Sequence, residues 1–281
     1  MTEMKPVTPV DQAALWNGPA GQAWVDSQML LDEIFAPFAV RLADAVGAAG
    51  ARRILDIGCG AGATALAAAR RAGATGRVTG IDISRPMLQL AQARAEDEGL
   101  PAEFLCADAE RYGFAANAFD MAISRFGVMF FGNSVGAFAN IRGAMVSGGV
   151  LHAIAWRAPQ ENPFMTAAEQ AAVPLLPAMP PRPPGGPGQF AFADSERVLG
   201  LLWDSGWSEI AIEPIDVECD FPASMLAAYV MRLGPLGIYL GQAGAEEREG
   251  IVAAVLPAFD RFIDGDCVRF TAACWAITAR A

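Results

Sequence analysis

This chain is short of the residues on which most site chemistries are built. Among 281 residues there is a single histidine, His152. Zinc sites are assembled from clustered histidine and cysteine, and His152 has no cysteine near it in sequence, so no metal is expected. The five cysteines, Cys59, Cys106, Cys219, Cys267 and Cys274, form no C-x-x-C pair. An odd, scattered set reads as reduced thiols behaving as small hydrophobes, not as a disulfide framework. Charge is sparse, at 18% of residues, and of one sign in excess, with a net charge of -11. Phosphate backbones are gripped by Lys/Arg patches, so nucleic acid is not an expected partner. No run of about 18 apolar residues stands free of charges, Gly and Pro, so no membrane span is expected. Residues 1–10 hold polar residues and prolines but no apolar signal segment, which points to a cytoplasmic setting.

What is present is a hydrophobic content of 53% in a chain long enough for a sizeable core, which excludes a disordered class. No internal repeat is visible. Residues 11–47 read as two or three helices, with Trp24, Leu31, Ile34, Phe35, Phe38 and Leu42 at helical spacing. From 52 to 156, strands expected at 52–57, 77–82, 102–107, 119–124 and 149–155 alternate with helices near 62–72, 84–98 and 134–146. Ser84 reads as an N-cap with Pro86 in the first turn, and Gly99 as the stop. Such alternation implies a parallel, doubly wound sheet. The proline- and glycine-rich stretch at 177–188 breaks the rhythm as a stiff loop or part of a lid. Asp194 then caps a helix that Gly206 ends, 208–219 alternates like a strand, 222–262 reads as helical, and 268–278 as a final strand.

The most telling stretch is Arg53-Ile54-Leu55-Asp56-Ile57-Gly58-Cys59-Gly60-Ala61-Gly62. It reads as a buried strand entering a glycine turn and then a helix of strong formers. A helix N-terminus facing that turn presents free N–H groups to a ligand. Asp56 precedes the turn, Asp82 ends the second strand and Asp108 ends the third. Ligands of open α/β sheets sit beyond the C-terminal ends of the strands, so the three carboxylates should line one crevice. Asp82 can accept both hydroxyls of a ribose, and Asp108 an exocyclic amine. Gly58-x-Gly60-x-x-Ala63 also satisfies a loose dinucleotide fingerprint, but a pyrophosphate there would meet Asp56 with like charge. A cationic nucleoside suits the three acids better than NAD(P).

Leu55-Asp56-Ile57-Gly58-Cys59-Gly60-Ala61-Gly62 resembles motif I of the class I S-adenosylmethionine-dependent methyltransferases. Asp82 matches their acidic residue after the second strand and Asp108-Ala109 their adenine-side position. Phe119-Asp120-Met121-Ala122-Ile123-Ser124 is similar to their fourth strand, and Met145 to Leu151 to the turn before the fifth. The resemblance covers roughly 30–156 and is nearest to the small-molecule branch similar to ubiquinone/menaquinone C-methyltransferases. It implies a Rossmann-like, mostly parallel seven-stranded sheet whose last strand inserts antiparallel beside 208–218, plus a helical cap. It implies S-adenosylmethionine as cofactor, S-adenosylhomocysteine as its product, and a cofactor set of Asp56, Gly58, Cys59, Gly60, Gly62, Asp82, Ile83, Met87, Asp108, Ala109, Ser124 and Arg125. Residues 1–50 would cover the cofactor cleft, with Trp16 and Asn17 candidates to fold over it. Residues 51–157 would form the cofactor-binding core, 158–193 a lid-like insertion, and 194–281 would complete the sheet around a helical insertion at 222–262.

Methyl transfer from a sulfonium requires alignment in a dry pocket, and a base only where the acceptor must lose a proton. No catalytic residue is assigned. Arg125 and His152 are the candidates, although His152 sits in a buried strand pattern and Arg125 suits a structural ion pair better than a role on the acceptor. Phe126, Phe130, Trp156, Phe164 and Tyr229 are expected to line a pocket for a small, apolar or aromatic acceptor. A homodimer is left open. The alternatives are an NAD(P)-dependent oxidoreductase and a non-catalytic S-adenosylmethionine-binding protein.

Overall fold

Helices of strong formers alternate with apolar strands, and they assemble into a three-layer α/β structure. The computed structural model describes residues 11–176 and 186–281. The expectations about 1–10, and about 177–185 of the proline-rich stretch, fall outside the described residues.

Four helices precede the sheet: α1 (Gln12–Asn17), α2 (Pro19–Asp26), α3 (Gln28–Ile34) and α4 (Ala36–Ala49). The sequence suggested two or three. The extra breaks fall at Ser27 and Phe35, whose backbones leave helical geometry with φ near -105°; Gly18-Pro19 and Pro37 mark two of the three breaks in composition, and Ser27 carries no such signal. Then come β1 (Arg53–Ile57), α5 (Ala63–Ala72), β2 (Arg77–Asp82), α6 (Arg85–Glu98), β3 (Ala102–Cys106), β4 (Phe119–Arg125), α7 (Ser134–Ala144) and β5 (Met145–Trp156). The remainder is α8 (Pro163–Ala172), α9 (Ser195–Asp204), β6 (Ser208–Pro222), α10 (Leu226–Arg232), α11 (Gly234–Leu240), α12 (Ala245–Val255), β7 (Ile263–Asp264) and β8 (Cys267–Arg280).

The strand order is β3-β2-β1-β4-β5-β8-β6, with the two-residue β7 added on β8. β8 runs antiparallel between β5 and β6, and the other paired strands of the path are parallel. This is the expected seven-stranded arrangement plus one short strand too brief to leave a pattern. Strand order reverses between β1 and β4, which places a crevice at their C-terminal ends.

β6 and β8 pair from Ser208↔Arg280 to Pro222↔Cys267, whereas β5 leaves β8 at Trp156↔Cys274. The two strands therefore project past the sheet's ligand edge and carry a cap. Its core is aromatic: Phe164 stacks on Phe270 (centroids 3.9 Å apart) and meets Phe221, Tyr229, Phe259 and Phe262 edge-on or tilted. Where β5 departs, buried Asn162 takes over as a strand surrogate. Its Nδ2 donates to the Ala273 carbonyl (3.0 Å) and its Oδ1 accepts from the Ala273 N–H (2.9 Å). Asn162→Ala leaves the Ala273 N–H unpaired in the interior, while the Ala273 carbonyl keeps the Arg157 N–H (3.0 Å), so about 1–2 kcal/mol of stability should be lost in urea unfolding.

Residues 186–193 return toward the sheet, where the Gly188 N–H donates to the Met129 carbonyl (3.1 Å) and Trp275 Nε1 to the Ala193 carbonyl (3.0 Å). No single helix among the described residues is long and apolar enough to cross a membrane.

Candidate active site

The glycine turn is shaped by close backbone packing on one side and openness on the other. Gly58 (φ +66°) lies so near Gly127, after β4, that a Cβ on it would come within 2.6 Å of the Gly127 Cα. Gly60 (φ +53°) has nothing closer to such a Cβ than the Met87 sulfur at 3.7 Å. Gly58 thus lets two strands approach, and Gly60 presents bare backbone to open space.

Asp82 holds the turn's shape. Its Oδ2 accepts from the Gly60 N–H and its Oδ1 from the Ser84 N–H, each at 2.8 Å. Burial raises its pKa, and these backbone donors oppose the rise. Ser84 stands at the N-cap position of α6, but its hydroxyl donates to the Trp16 carbonyl (2.6 Å) and does not cap the helix. Asn17 bridges the same junction, donating to the Ile83 carbonyl (2.8 Å) and accepting from the Arg85 N–H (3.0 Å). Trp16 and Asn17 thereby pin α1 to the β2–α6 turn, and Trp16 also meets Trp24 and Phe130 edge-on.

Beneath the turn, Asp56 is fully buried and neither carboxylate oxygen has a hydrogen-bond partner of ordinary geometry. Desolvation dominates and pushes its pKa up to about 8; Arg125 and the Ala65 backbone amide pull it down, and Asp82 adds to the rise. Cys59, also buried, has its thiol pushed well up by burial and by Asp82 and Asp56. Asp108 is exposed at the end of β3, its Oδ1 accepting from the Glu110 N–H (2.9 Å), while Ala109 is buried. Ile83 and Met87 stand at the β2–α6 junction, Met87 facing Gly60.

The Ser124 hydroxyl donates to the Ile57 carbonyl (2.8 Å) and accepts from the Gly127 N–H (3.2 Å), so it fastens β4 to the glycine turn. Arg125 is half-buried, 5.5 Å over the Phe35 ring, with a long hydrogen bond to the Phe35 carbonyl (3.4 Å). Burial lowers its pKa against the pull of Asp32 and Asp56. Phe126 adopts φ +65°, a strained value for a bulky residue. Packing holds it there: its ring stacks on Trp156 at 4.5 Å, and Phe35 and Phe38 press edge-on against both rings.

A crevice lies between this turn and the N-terminal helices. Trp24, Gln28, Leu31 and Asp32 roof it, Gly58 to Ala61 with Thr64 floor it, and Arg125 forms an end wall. Sequence reasoning proposed the N-terminal helices as a cover but singled out neither Gln28 nor Asp32. Asp32 of α3 pairs with Arg94 of α6 (2.5 Å) and accepts from Gln28 (2.6 Å), and Arg94 also donates to the Ala61 carbonyl of the turn (2.6 Å). The pair is 62 residues apart in sequence, and no local pattern announces it. Asp32→Asn removes an ion pair worth about 1 kcal/mol. Release of S-adenosylhomocysteine, followed by tryptophan fluorescence, should become roughly fivefold faster with little change in Tm.

The other expected site residues lie apart. His152 is at mid-strand, paired with Ile123 and Thr278, and burial and Arg41 lower its pKa. Phe130 is half-buried against Trp16. Phe164 and Tyr229 belong to the cap's aromatic core, and packing there accounts for Phe164 without an open wall beside it.

An α/β sheet of this strand order places a ligand crevice at its switch point. Residues 54–149 match the family model described as a methyltransferase domain. The chain is 38% identical over 118 residues to aklanonic acid methyltransferase DauC of Streptomyces sp. (strain C5), an alignment covering 42% of this chain and 54% of that protein. It is 37% identical over 100 residues to nocamycin O-methyltransferase of Saccharothrix syringae, covering 35% and 36% respectively. The chain thus spans about half the length, or less, of these curated relatives. In fold it is similar to the YcgJ protein of Bacillus subtilis, with TM-score 0.54 and 18% identity over 85% of this chain and 97% of that one. Residues 54–149 thus match a methyltransferase domain, and S-adenosylmethionine is the cofactor that the resemblance implies for it.

The residues present fit that cofactor. Asp56 is a buried acid with no partner of its own, suited to a neighbouring positive charge, and Gly60 is a cradle that a side chain would fill. Asp56 also predicts a pH effect. Its carboxyl ionises near pH 4 when unfolded and near 8 when folded, so the folded state binds more protons between those values and stability falls as pH rises through that window. Asp56→Asn should therefore raise the Tm of the ligand-free protein at pH 8 and change it little at pH 4.

Proposed function

We propose that this chain transfers a methyl group from S-adenosylmethionine to a small, largely apolar or aromatic acceptor. The observation that carries the reading is the unpartnered carboxylate of Asp56 under the bare backbone of Gly60, with Asp82 across the turn. The bound cofactor supplies a methyl carbon on a sulfonium, open to in-line displacement. The chain's own residues do the rest. Asp82 would receive the ribose hydroxyls on lone pairs its backbone donors leave free, Asp108 would receive the adenine amine, and Ile83 and Met87 would flank the ring. Asp56 and Arg125 would meet the amino-acid end.

Phe126 and Trp156 stack on each other where β4 and β5 end and are buried under Phe35 and Phe38, so they back the site as packing. The half-buried pair Trp16 and Phe130 is the aromatic surface that a flat, apolar acceptor would meet, away from water. An oxygen acceptor is favoured by the likeness to one protein named for an acid and another named an O-methyltransferase. The net charge of -11 supports a small molecule over nucleic acid.

The test is formation of S-adenosylhomocysteine with a panel of aromatic small molecules. Turnover supports the enzyme reading. Binding of the cofactor with no turnover on any acceptor would leave a non-catalytic binding protein.

A further inference from the structure

The crevice between the glycine turn and the N-terminal helices holds two opposite charges that the chain leaves only partly used. Asp32 lies in its roof and Arg125 forms its end wall. Arg94 and Gln28 both donate to Asp32 Oδ2, and among the described residues Oδ1 has no partner. A guanidinium has five N–H donors. Among the described residues, however, the Arg125 side chain makes one hydrogen bond, the long one to the Phe35 carbonyl, and no ion pair. Burial lowers its pKa, and Asp32 is the acid that opposes that shift most. Asp56 is different: it has no exposed surface and does not line the crevice. Between the two charges the floor is the turn and the first residues of α5, Ala63 and Thr64, where helix amides favour an anion. The enclosed volume is about 40 Å³, against roughly 300–1,000 Å³ for small-molecule sites, so the roof has to lift for a ligand to enter.

We propose that Asp32 receives the α-ammonium of the bound cofactor directly and Arg125 its α-carboxylate, so that the roof closes only on a ligand carrying a free amino-acid end. This rests on the methyltransferase reading, and it assigns the ammonium contact to a residue of α3, outside the glycine motif. A zwitterion supplies a cation for Asp32 and an anion for Arg125 within one small group, and both contacts are charge-assisted. Arg94 fixes the receiving carboxylate. It is tied to Asp32 and to the Ala61 carbonyl of the turn (2.6 Å), which holds roof and floor in one arrangement. Asp56 adds its charge from beneath the turn. The site should therefore tell S-adenosylhomocysteine from methylthioadenosine, which keeps the adenosine and the thioether but has no amino-acid end.

The experiment is titration calorimetry of the full chain with these two ligands, for wild type, Asp32→Asn and Arg125→Met. Wild type should bind S-adenosylhomocysteine roughly a hundredfold more tightly than methylthioadenosine, which lacks both charged contacts. Asp32→Asn should weaken S-adenosylhomocysteine binding about five- to tenfold and Arg125→Met at least about tenfold, with methylthioadenosine within about twofold of wild type in both. Retained methylthioadenosine binding shows that each variant still folds its adenosine site. Equal losses for both ligands would make the two residues supports of the roof alone and overturn the proposal. So would an unchanged affinity of Asp32→Asn for S-adenosylhomocysteine, or a wild type that binds the two ligands alike. Failure of both ligands to bind wild type would instead fail the methyltransferase reading.

Discussion

Asp82→Ala is expected to weaken S-adenosylmethionine and S-adenosylhomocysteine binding at least tenfold by titration calorimetry. Two effects add. The substitution removes the acceptor proposed for two ribose hydroxyls, and charge-assisted hydrogen bonds contribute about 1.5–3 kcal/mol each. It also frees the Gly60 and Ser84 amides, which Asp82 now holds at 2.8 Å, so the turn loses the shape the cofactor meets. Each tenfold in affinity is about 1.4 kcal/mol, so a loss well beyond tenfold is within reach of the mechanism. Asp82→Asn keeps one acceptor oxygen and should fall between wild type and alanine. Unchanged affinity in a folded alanine variant would remove Asp82 from the ribose role.

The two glycines of the turn should fail in different ways when replaced by valine. Gly58→Val puts a side chain against the Gly127 backbone, where a Cβ alone would stand at 2.6 Å from its Cα. Neither backbone can yield without parting β1 from β4, so the variant should not fold to a cooperative native state. Gly60→Val meets no atom closer than the Met87 sulfur. Its cost is the positive φ, about 1–2 kcal/mol, and it should fold with a Tm a few degrees lower. It should show no stabilisation by S-adenosylhomocysteine, because the branched side chain occupies the cradle. Full cofactor binding by Gly60→Val would mean that the turn is not the cradle.

The alternation of apolar strands with helices and the crevice at the end of β1 were legible because each is written in local pattern, whereas the antiparallel placement of the final strand followed from the family resemblance alone. Asp82 was legible for the same reason: it ends a strand of clear periodicity, two residues before the N-cap position Ser84. What escaped was set by long-range packing. Asp32 and Arg94 look like ordinary helix-surface charges until α3 and α6 meet over the glycine turn. Ser124 reads as a residue bordering the ligand, yet its hydroxyl fastens two strands together. Phe164 carries the same aromatic signal as Phe126. Only the projection of β6 and β8 past β5 separates the cap's core from the ligand edge. The break at Ser27 carries no glycine or proline, and tertiary packing bends the chain there, whereas Pro37 in the first turn of α4 marks the break at Phe35.

The most direct measurement is a thermal-unfolding scan of the full chain with S-adenosylmethionine, S-adenosylhomocysteine, NADH and NADPH in parallel. A ligand at a hundred times its dissociation constant adds about 2.7 kcal/mol to folding, a shift of several degrees for a chain of this size. The account predicts stabilisation by the two adenosyl sulfur ligands and none by the nicotinamides. It also predicts that Asp82→Ala cuts the shift by about half or more and that Gly60→Val abolishes it. Stabilisation by NADH or NADPH alone would contradict the assignment of Asp56 to a cationic ligand and place the site among dinucleotide folds.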